Sequence, residues 1–100
     1  MDVRFHSINF SADVKLLDFA QKKINKLDVF YDQIVGGDAY LKVESSSNPE
    51  NKWVEIKLRV PGKEIVVKKY DRTFEGAIDQ GVDVLRRSLI KYKGKMKTLV

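Results

Sequence analysis

The side chains in this sequence that are suited to chemistry are mostly cations. Arg87, Lys91 and Lys95 are spaced i, i+4, i+8, which places them on one face of a helix. From Val84 to the C-terminus there is no acidic residue, and there are six basic ones: Arg86, Arg87, Lys91, Lys93, Lys95 and Lys97. Such a surface attracts nucleic acid, an anionic membrane or an acidic protein. A solvated helix end favoured by the helix dipole explains the same charges equally well.

A second group of cations, Lys22, Lys23 and Lys26, lies in another segment with helical periodicity. If the two helices pack side by side, these lysines and the row at Arg87, Lys91 and Lys95 form two adjacent ridges. A groove between the ridges would present cations to phosphate groups. The pattern therefore favours recognition of a nucleic acid backbone rather than of base edges.

Catalytic and metal-binding signatures are missing from the sequence. It has one histidine, no cysteine and no glycine-rich phosphate loop, so no pair of metal ligands is available at the usual spacings. His6 falls on the polar side of a predicted strand and is expected to be an ordinary exposed histidine. Asp79 and Asp83, at i and i+4, are interpreted as acids near a helix N-terminus that interact with its dipole. We therefore expect no catalysis, no metal and no cofactor.

Two aromatic residues, Trp53 and Tyr70, are candidates for stacking on exposed bases. Sheets that bind RNA in this way carry two or three aromatic residues close together, whereas here they look scattered along the sequence. Packing on the surface of the sheet is the preferred interpretation. The helices, not the sheet, are thus predicted to be the binding face.

Length and composition indicate a single domain that spans residues 1–100. A chain of 100 residues with 43% apolar residues can bury one core but has no length for a second. The absence of cysteine, of a run of eighteen apolar residues and of a signal-like N-terminus favours a cytoplasmic protein without disulfides or membrane spans.

Apolar alternation and helical spacing predict six elements in the order βαβββα. Ser11 and Thr73 are predicted N-caps of the two helices. Pro61 and Gly62 predict a type II turn between the last two strands, and the glycines at 36–37 are expected to interrupt the chain before the second strand. The predicted strands are 2–10, 38–44, 53–60 and 63–70, and the helices are 12–29 and a long one that follows residue 73.

These elements predict an α+β fold in which two helices cover one face of a four-stranded mixed sheet. A right-handed crossover makes the first two strands parallel, and hairpins make the others antiparallel. The buried stripe of the last helix is predicted to be Ile78, Val82, Leu85, Leu89, Tyr92 and Met96. The uncovered sheet face is predicted to carry polar and charged residues, namely Arg4, His6, Tyr40, Lys42, Lys57, Arg59, Lys68 and Tyr70.

The order of elements and three stretches of sequence resemble the ribosome hibernation promoting factors, also described as ribosome-associated translation inhibitors. The stretches are KLDVFYD at 26–32, YLKVE at 40–44 and AIDQGVDVLRRSLIKYKGKMK at 77–97. Together they extend the resemblance over nearly the whole chain. The last stretch is the most specific, because its opening AID, its middle VD-x-L-x-R-x-L and its closing KYK-x-K occur together in the family.

The resemblance implies a domain similar to the double-stranded-RNA-binding fold. Its basic helical surface is then expected to insert between the head and body of the small ribosomal subunit, at the decoding region. There it would overlap the sites of messenger RNA and of tRNA in the A and P positions, and so inhibit translation by occupancy. The implied partners are the small ribosomal subunit and its ribosomal RNA, with no membrane and no DNA expected, and the protein is expected to be a monomer off the ribosome.

The resemblance also predicts which residues face ribosomal RNA. By position these are Lys23, Lys26, Arg87, Lys91, Lys93 and Lys95, to which the helical wheels add Lys22 and Arg86. Val84 stands where relatives often carry a charge, and Arg86 is basic where relatives can be neutral. The sequence ends at Val100 without the C-terminal dimerising domain of long family members, so we expect that it does not pair ribosomes alone.

A second function remains open on the sequence. The family also carries the label of a sigma-factor modulator, which makes the alternative a protein-binding regulator that docks its basic helix on an acidic partner. Salt dependence separates the two, because release of counterions from several phosphates steepens with each contact, whereas a protein interface of mixed polarity responds less.

Overall fold

The computed structural model of the protein describes residues 1–45 and 47–98, with side chains through residue 95. The predicted order βαβββα and the α+β class are confirmed. The side chains of Met96 and Lys97, and residue Ser46 of the polar turn segment, lie outside the described residues. The elements are β1 (Asp2–Ile8), α1 (Val14–Asn25), a 3₁₀ turn (Lys26–Val29), β2 (Gly36–Val43), β3 (Lys52–Val60), β4 (Lys63–Asp71) and α2 (Phe74–Thr98).

The four strands form one sheet in the order β1-β2-β3-β4. β1 and β2 are parallel, and the β2–β3 and β3–β4 pairs are antiparallel, as predicted. Both helices pack on one face of this sheet, because residues of both helices and of the strands join a single core. Its most deeply buried members are Ile24 and Leu27 from the first helical segment, Leu41, Ile56 and Leu58 from the strands, and Ile78, Leu85 and Leu89 from α2.

The opposite face, which we call the open sheet face, carries the polar side chains of the strands. His6, Tyr40, Glu55 and Lys68 form one cross-strand row that shows the arrangement. Residues two apart in a strand share a face, so all eight side chains predicted for this face lie on it. None of the eight is buried.

The first helix starts and ends inside its predicted limits. Its N-cap is Asp13 rather than Ser11, and the Asp13 carboxylate accepts a hydrogen bond from the backbone N–H of Leu16 at 2.8 Å. The prediction was wrong because Phe10 stacks on Phe74 of α2, with ring centroids 4.7 Å apart. Asn9, the residue before Phe10, has a left-handed φ of 67°. This conformation ends β1 at Ile8, earlier than predicted.

At the other end of α1 the chain tightens into the 3₁₀ turn at Lys26–Val29. This turn keeps Leu27 fully buried while it redirects the chain towards β2. The prediction of one helix through residue 29 was therefore wrong in its last turn.

Gly36 and Gly37 belong to β2 rather than to an interruption before it. A Cβ at Gly37 would lie 2.7 Å from the backbone oxygen of Lys57, a separation too short for any side chain. Glycine therefore permits the close approach of two strands here. Gly62 has a φ of 82°, the left-handed value that the predicted turn requires.

The N-terminus of α2 is capped as predicted, since the Thr73 hydroxyl accepts a hydrogen bond from the backbone N–H of Gly76 at 3.0 Å. Further along, the Tyr92 hydroxyl donates to the Pro61 carbonyl in the β3–β4 turn. The C-terminal half of α2 is thus fixed against the hairpin. Within the described part of the chain, no helix combines the length and the apolar character needed to cross a membrane.

Two neighbouring residues of α2 test this packing. Leu89 is fully buried, whereas Ile90 is 47% exposed. We expect Leu89→Ala to lower the free energy of unfolding by about 2–5 kcal/mol, because it leaves a cavity in the core. Ile90→Ala removes a similar volume from the surface and should stay within about 0.5 kcal/mol. Urea denaturation measures both, and equal effects of the two variants would contradict the packing described.

Candidate nucleic-acid interface

All eight predicted contact residues lie on the helical layer, away from the open sheet face. Lys23 and Arg86 are half-buried. The other six are exposed, namely Lys22, Lys26, Arg87, Lys91, Lys93 and Lys95. Exposure leaves these six cations accessible to a partner, and the two half-buried cations have local contacts of their own.

Lys23 makes its contacts at the seam between the two helices. Its Nζ lies 3.1 Å from Oδ1 of Asp79 on α2 and 5.5 Å from the centre of the Phe19 ring. An ion pair of this exposure contributes little to stability. It does orient the lysine along the seam, so Lys23 contributes less positive potential to the outer surface than the sequence suggests.

Arg86 is held in a similar way near the 3₁₀ turn. Its guanidinium donates to Oδ1 of Asp83 at 2.8 Å and lies 5.8 Å from the centre of the Phe30 ring. Arg87 reaches the other carboxylate oxygen of Asp83 at 3.2 Å. The hydrogen bond from Arg86, and after it the charge of Arg87, hold the pKa of Asp83 below its usual value against an opposing effect of desolvation.

The interpretation of Asp79 and Asp83 as acids near the helix N-terminus is wrong. The dipole acts within the first turn of a helix, and both residues lie beyond the first turn of α2, which begins at Phe74. They act instead as ion-pair partners of cations on α1 and α2. Asp83 is the last acidic residue before the basic C-terminal run.

The row Arg87, Lys91 and Lys95 does not face α1 across a groove. Lys91 and Lys95 border a depression on the hairpin side, together with Lys63 and Tyr92. The buried stripe of α2 sets this rotation, since the row lies on the far side of the helix from the seam. The two expected ridges are therefore separated by the crest of α2 instead of flanking one groove.

Lys93 points the other way, towards the 3₁₀ turn, where it borders a depression with Val29, Phe30 and Ile90. Lys63 is a neighbouring cation that was not predicted as a contact residue. It directly follows the Pro61-Gly62 turn, which lies against Tyr92 of α2. We call the resulting set the helical cationic surface. It consists of Lys22, Lys26, Lys63, Arg87, Lys91, Lys93 and Lys95.

Most of these cations are not neutralised by a carboxylate. Among the ion pairs of the described side chains, none involves Lys22, Lys26, Lys91 or Lys93. Arg87 shares Asp83 with Arg86. The helical cationic surface therefore retains most of its positive charge.

Cations of the open sheet face are paired to a greater extent. Asp38 lies 3.0 Å from Nε2 of His6 and 2.7 Å from Nη1 of Arg59. The contacts with His6 and then Arg59 hold the pKa of Asp38 below its usual value. Lys68 lies 3.7 Å from Glu55 and Lys42 lies 3.9 Å from a carboxylate on the same face. The His6 side chain is 42% exposed, as expected of an ordinary histidine, and it is also a partner of Asp38, which the sequence did not predict.

The aromatic residues of the open sheet face are closer together than predicted. Trp53 and Tyr70 are cross-strand partners in the β3–β4 hairpin. His6 stacks on Tyr40, with ring centroids 4.6 Å apart. The hairpin turn was the signal that could have shown the first pair, because counting outward from Pro61 and Gly62 brings residues 53 and 70 opposite each other.

Comparison with known sequences shows what this chain is similar to. A protein of Deinococcus radiodurans described as a ribosome hibernation promotion factor is 33% identical over 86 residues, which are 85% of this chain and 45% of that protein. The chain thus spans under half the length of that relative. The ribosome hibernation promoting factor of Pseudomonas putida is 28% identical over 100 residues, and the match covers all of this chain and 94% of the relative. That of Azotobacter vinelandii is 32% identical over 95% of this chain and 85% of the relative.

Solved structures show the same fold. The N-terminal domain of Thermus thermophilus Protein Y superimposes with a TM-score of 0.81 at 22% identity, covering 92% of this chain and 99% of that domain. A ribosomal subunit interface protein from Coxiella burnetii gives a TM-score of 0.83 at 19% identity, over 94% of this chain and 99% of the other.

The family assignment rests on nearly the whole length of the chain. The model of one protein family matches residues 3–97, which include all but the first residue of β1 and the last residue of α2. The resemblance inferred from three stretches of sequence is thereby confirmed. The chain belongs to the Sigma 54 modulation protein / S30EA ribosomal protein family.

Proposed function

We propose that this protein is a ribosome hibernation factor that binds the small ribosomal subunit at the decoding region. It inhibits translation there by occupying the sites of messenger RNA and of A- and P-site tRNA. The observation that carries the proposal is the charge difference between the two faces, because Lys22, Lys26, Lys91 and Lys93 are exposed and have no carboxylate partner among the ion pairs of the described side chains. The names of the relatives, which are ribosome hibernation factors, supply the identity of the polyanion.

Binding through the helical cationic surface follows from ordinary polyelectrolyte physics. Each phosphate that a lysine or arginine neutralises releases a condensed counterion, and this release supplies much of the free energy of binding. Lys91 and Lys93 lie on opposite flanks of α2. The surface is therefore convex, and it suits a cleft between RNA helices better than a single flat duplex. A protein wedged in such a cleft blocks other ligands without any chemical step.

A second candidate is the protein-binding regulator, which the sigma-factor half of the family description favours. In this alternative the helical cationic surface docks on an acidic protein. The two candidates differ in salt dependence, since an interface with mixed polarity loses affinity less steeply with added salt than one built on phosphate contacts. Location in the cytoplasm, expected from the sequence, fits either candidate.

The first functional prediction concerns binding and inhibition. We expect the protein to cosediment with isolated small subunits and with whole ribosomes, and to inhibit cell-free translation reversibly. Added messenger RNA or initiator tRNA should relieve the inhibition, because it competes for the same sites. Sucrose-gradient cosedimentation and translation assays measure these outcomes. Association with large subunits alone, fragments of ribosomal RNA, or irreversible loss of activity would contradict occupancy.

A second prediction concerns Arg87, Lys91 and Lys95, which are all exposed. Replacing the three by alanine should weaken binding to small subunits without unfolding the domain, since exposed positions tolerate a good helix former. Each lost phosphate contact should also lower the slope of log affinity against log salt by roughly 0.7 to 0.9. Binding titrations at several salt concentrations measure both effects.

The matched control for that variant removes three cations from the open sheet face, Lys57, Arg59 and Lys68. Each protein loses three positive charges, so general basicity predicts equal effects. The proposal predicts a much smaller loss for the sheet variant, because two of its three cations already have carboxylate partners. An equal loss of affinity in the two variants would show that net charge alone, and not the position of the cations, determines binding. The assignment of the site to the helical cationic surface would then be wrong.

A third prediction concerns the oligomeric state off the ribosome. On the open sheet face the exposed large apolar residues are Ile8 on β1 and Val66 and Tyr70 on β4, at opposite edges of the sheet. Apolar area this dispersed does not form a stable dimer interface. Light scattering at micromolar concentration should give a mass near 11.5 kDa. A stable species of twice that mass would refute the prediction.

A further inference from the structure

A shallow apolar depression interrupts the helical cationic surface. Val29 and Phe30 from the 3₁₀ turn and Ile90 from α2 border it, with Lys93 at its rim. A second depression adjoins it and shares Ile90, and Arg87 and Lys91 stand at that rim. Cations therefore border the apolar floor on both flanks of α2.

Two of the apolar side chains in this depression are exposed to solvent. Val29 is 82% exposed and Ile90 is 47% exposed. Single exposed apolar residues are ordinary on protein surfaces. These two, however, lie beside a half-buried aromatic ring and share one depression within a region of high positive charge. A ligand in this depression would therefore meet apolar side chains, an aromatic ring and a cation together.

The aromatic ring at the floor is held in place before any ligand arrives. Phe30 packs partly against the core, and the Arg86 guanidinium lies 5.8 Å from its centre. Asp83 in turn holds the guanidinium through a hydrogen bond of 2.8 Å. The guanidinium lies over the Phe30 ring and holds it, so that Phe30 presents a fixed aromatic wall to the depression, against which a flat, polarisable ring can pack.

We propose that this depression binds an unpaired nucleobase of the ribosomal RNA, while the neighbouring lysines and arginines hold the flanking phosphates. The inference rests on the proposed function and specifies its ligand. Bases inside an RNA helix have both faces stacked, so only an unpaired nucleotide can offer a base to an apolar floor. The cations at the rim suit the phosphates on either side of such a base, and the proposed function makes that RNA ribosomal.

The test removes the apolar floor without changing any charge. In the double variant Val29→Ser, Ile90→Ser, affinity for isolated small subunits should fall about fivefold or more, the size of one base-stacking contact. The slope of log affinity against log salt should stay at the wild-type value, because no phosphate contact is lost. The matched control is Val66→Ser, Ile8→Ser on the open sheet face, which makes the same two chemical changes and should bind as the wild type does.

A photoreactive phenylalanine derivative introduced at position 90 identifies the contact directly. Crosslinks to an unpaired nucleotide of ribosomal RNA support the inference. Crosslinks to a ribosomal protein, or only to paired nucleotides, overturn it. A wild-type affinity in the floor variant, or a changed salt slope, also overturns it.

These outcomes distinguish the inference from the proposed function. If the floor variant binds as tightly as the wild type, the nucleobase site is wrong and ribosome binding through the cations stands. If the wild-type protein itself fails to bind small subunits, the proposed function is wrong and the nucleobase site falls with it. Circular dichroism of the two double variants shows whether each remains folded.

Discussion

Burial of one stripe of α2 against the sheet determines the rest of the functional surface. Leu85 and Leu89 have no exposed area, so the helix cannot rotate about its axis without a large loss of packing. Once that rotation is fixed, every other position on the helix has a fixed direction. Lys91 then faces the hairpin, Lys93 faces the 3₁₀ turn, and Arg87 stands near the crest between them. The arrangement of charge is a consequence of hydrophobic packing.

The second organising feature is the unequal distribution of carboxylates between the two faces. On the open sheet face, Asp38 and Glu55 neutralise neighbouring cations. On the helical layer Asp79 and Asp83 do so only near the seam and the first half of α2. Positive potential therefore grows along α2 towards its C-terminus. That gradient directs a polyanion to one side of a protein whose net charge of +5 would otherwise attract it to any side.

Local patterns in the sequence predicted the fold well, because strand alternation and the spacing of Ile78, Leu85 and Leu89 depend on neighbours close in the chain. The errors arose where distant residues decide. Before α1, Phe10 stacks on Phe74, which is far away in the sequence. In β2, Gly37 lies so close to the backbone of Lys57 that a Cβ would not fit.

In the candidate site, too, the features set by residues close in the sequence were predicted and those set by side-chain contacts were not. Arg87, Lys91 and Lys95 are exposed, as their helical spacing predicted, whereas the pairing of Asp83 with two arginines depends on side-chain directions that no helical wheel resolves. The hydrogen bond from Tyr92 to Pro61 has a consequence of its own, since it ties α2 at Tyr92 to the turn between β3 and β4 and so restrains the cations on either side of it. A stiff template accepts only one spacing of its ligand's groups. A partner that binds such a template must therefore adopt the matching spacing, and binding raises the population of whichever of the partner's conformations has it.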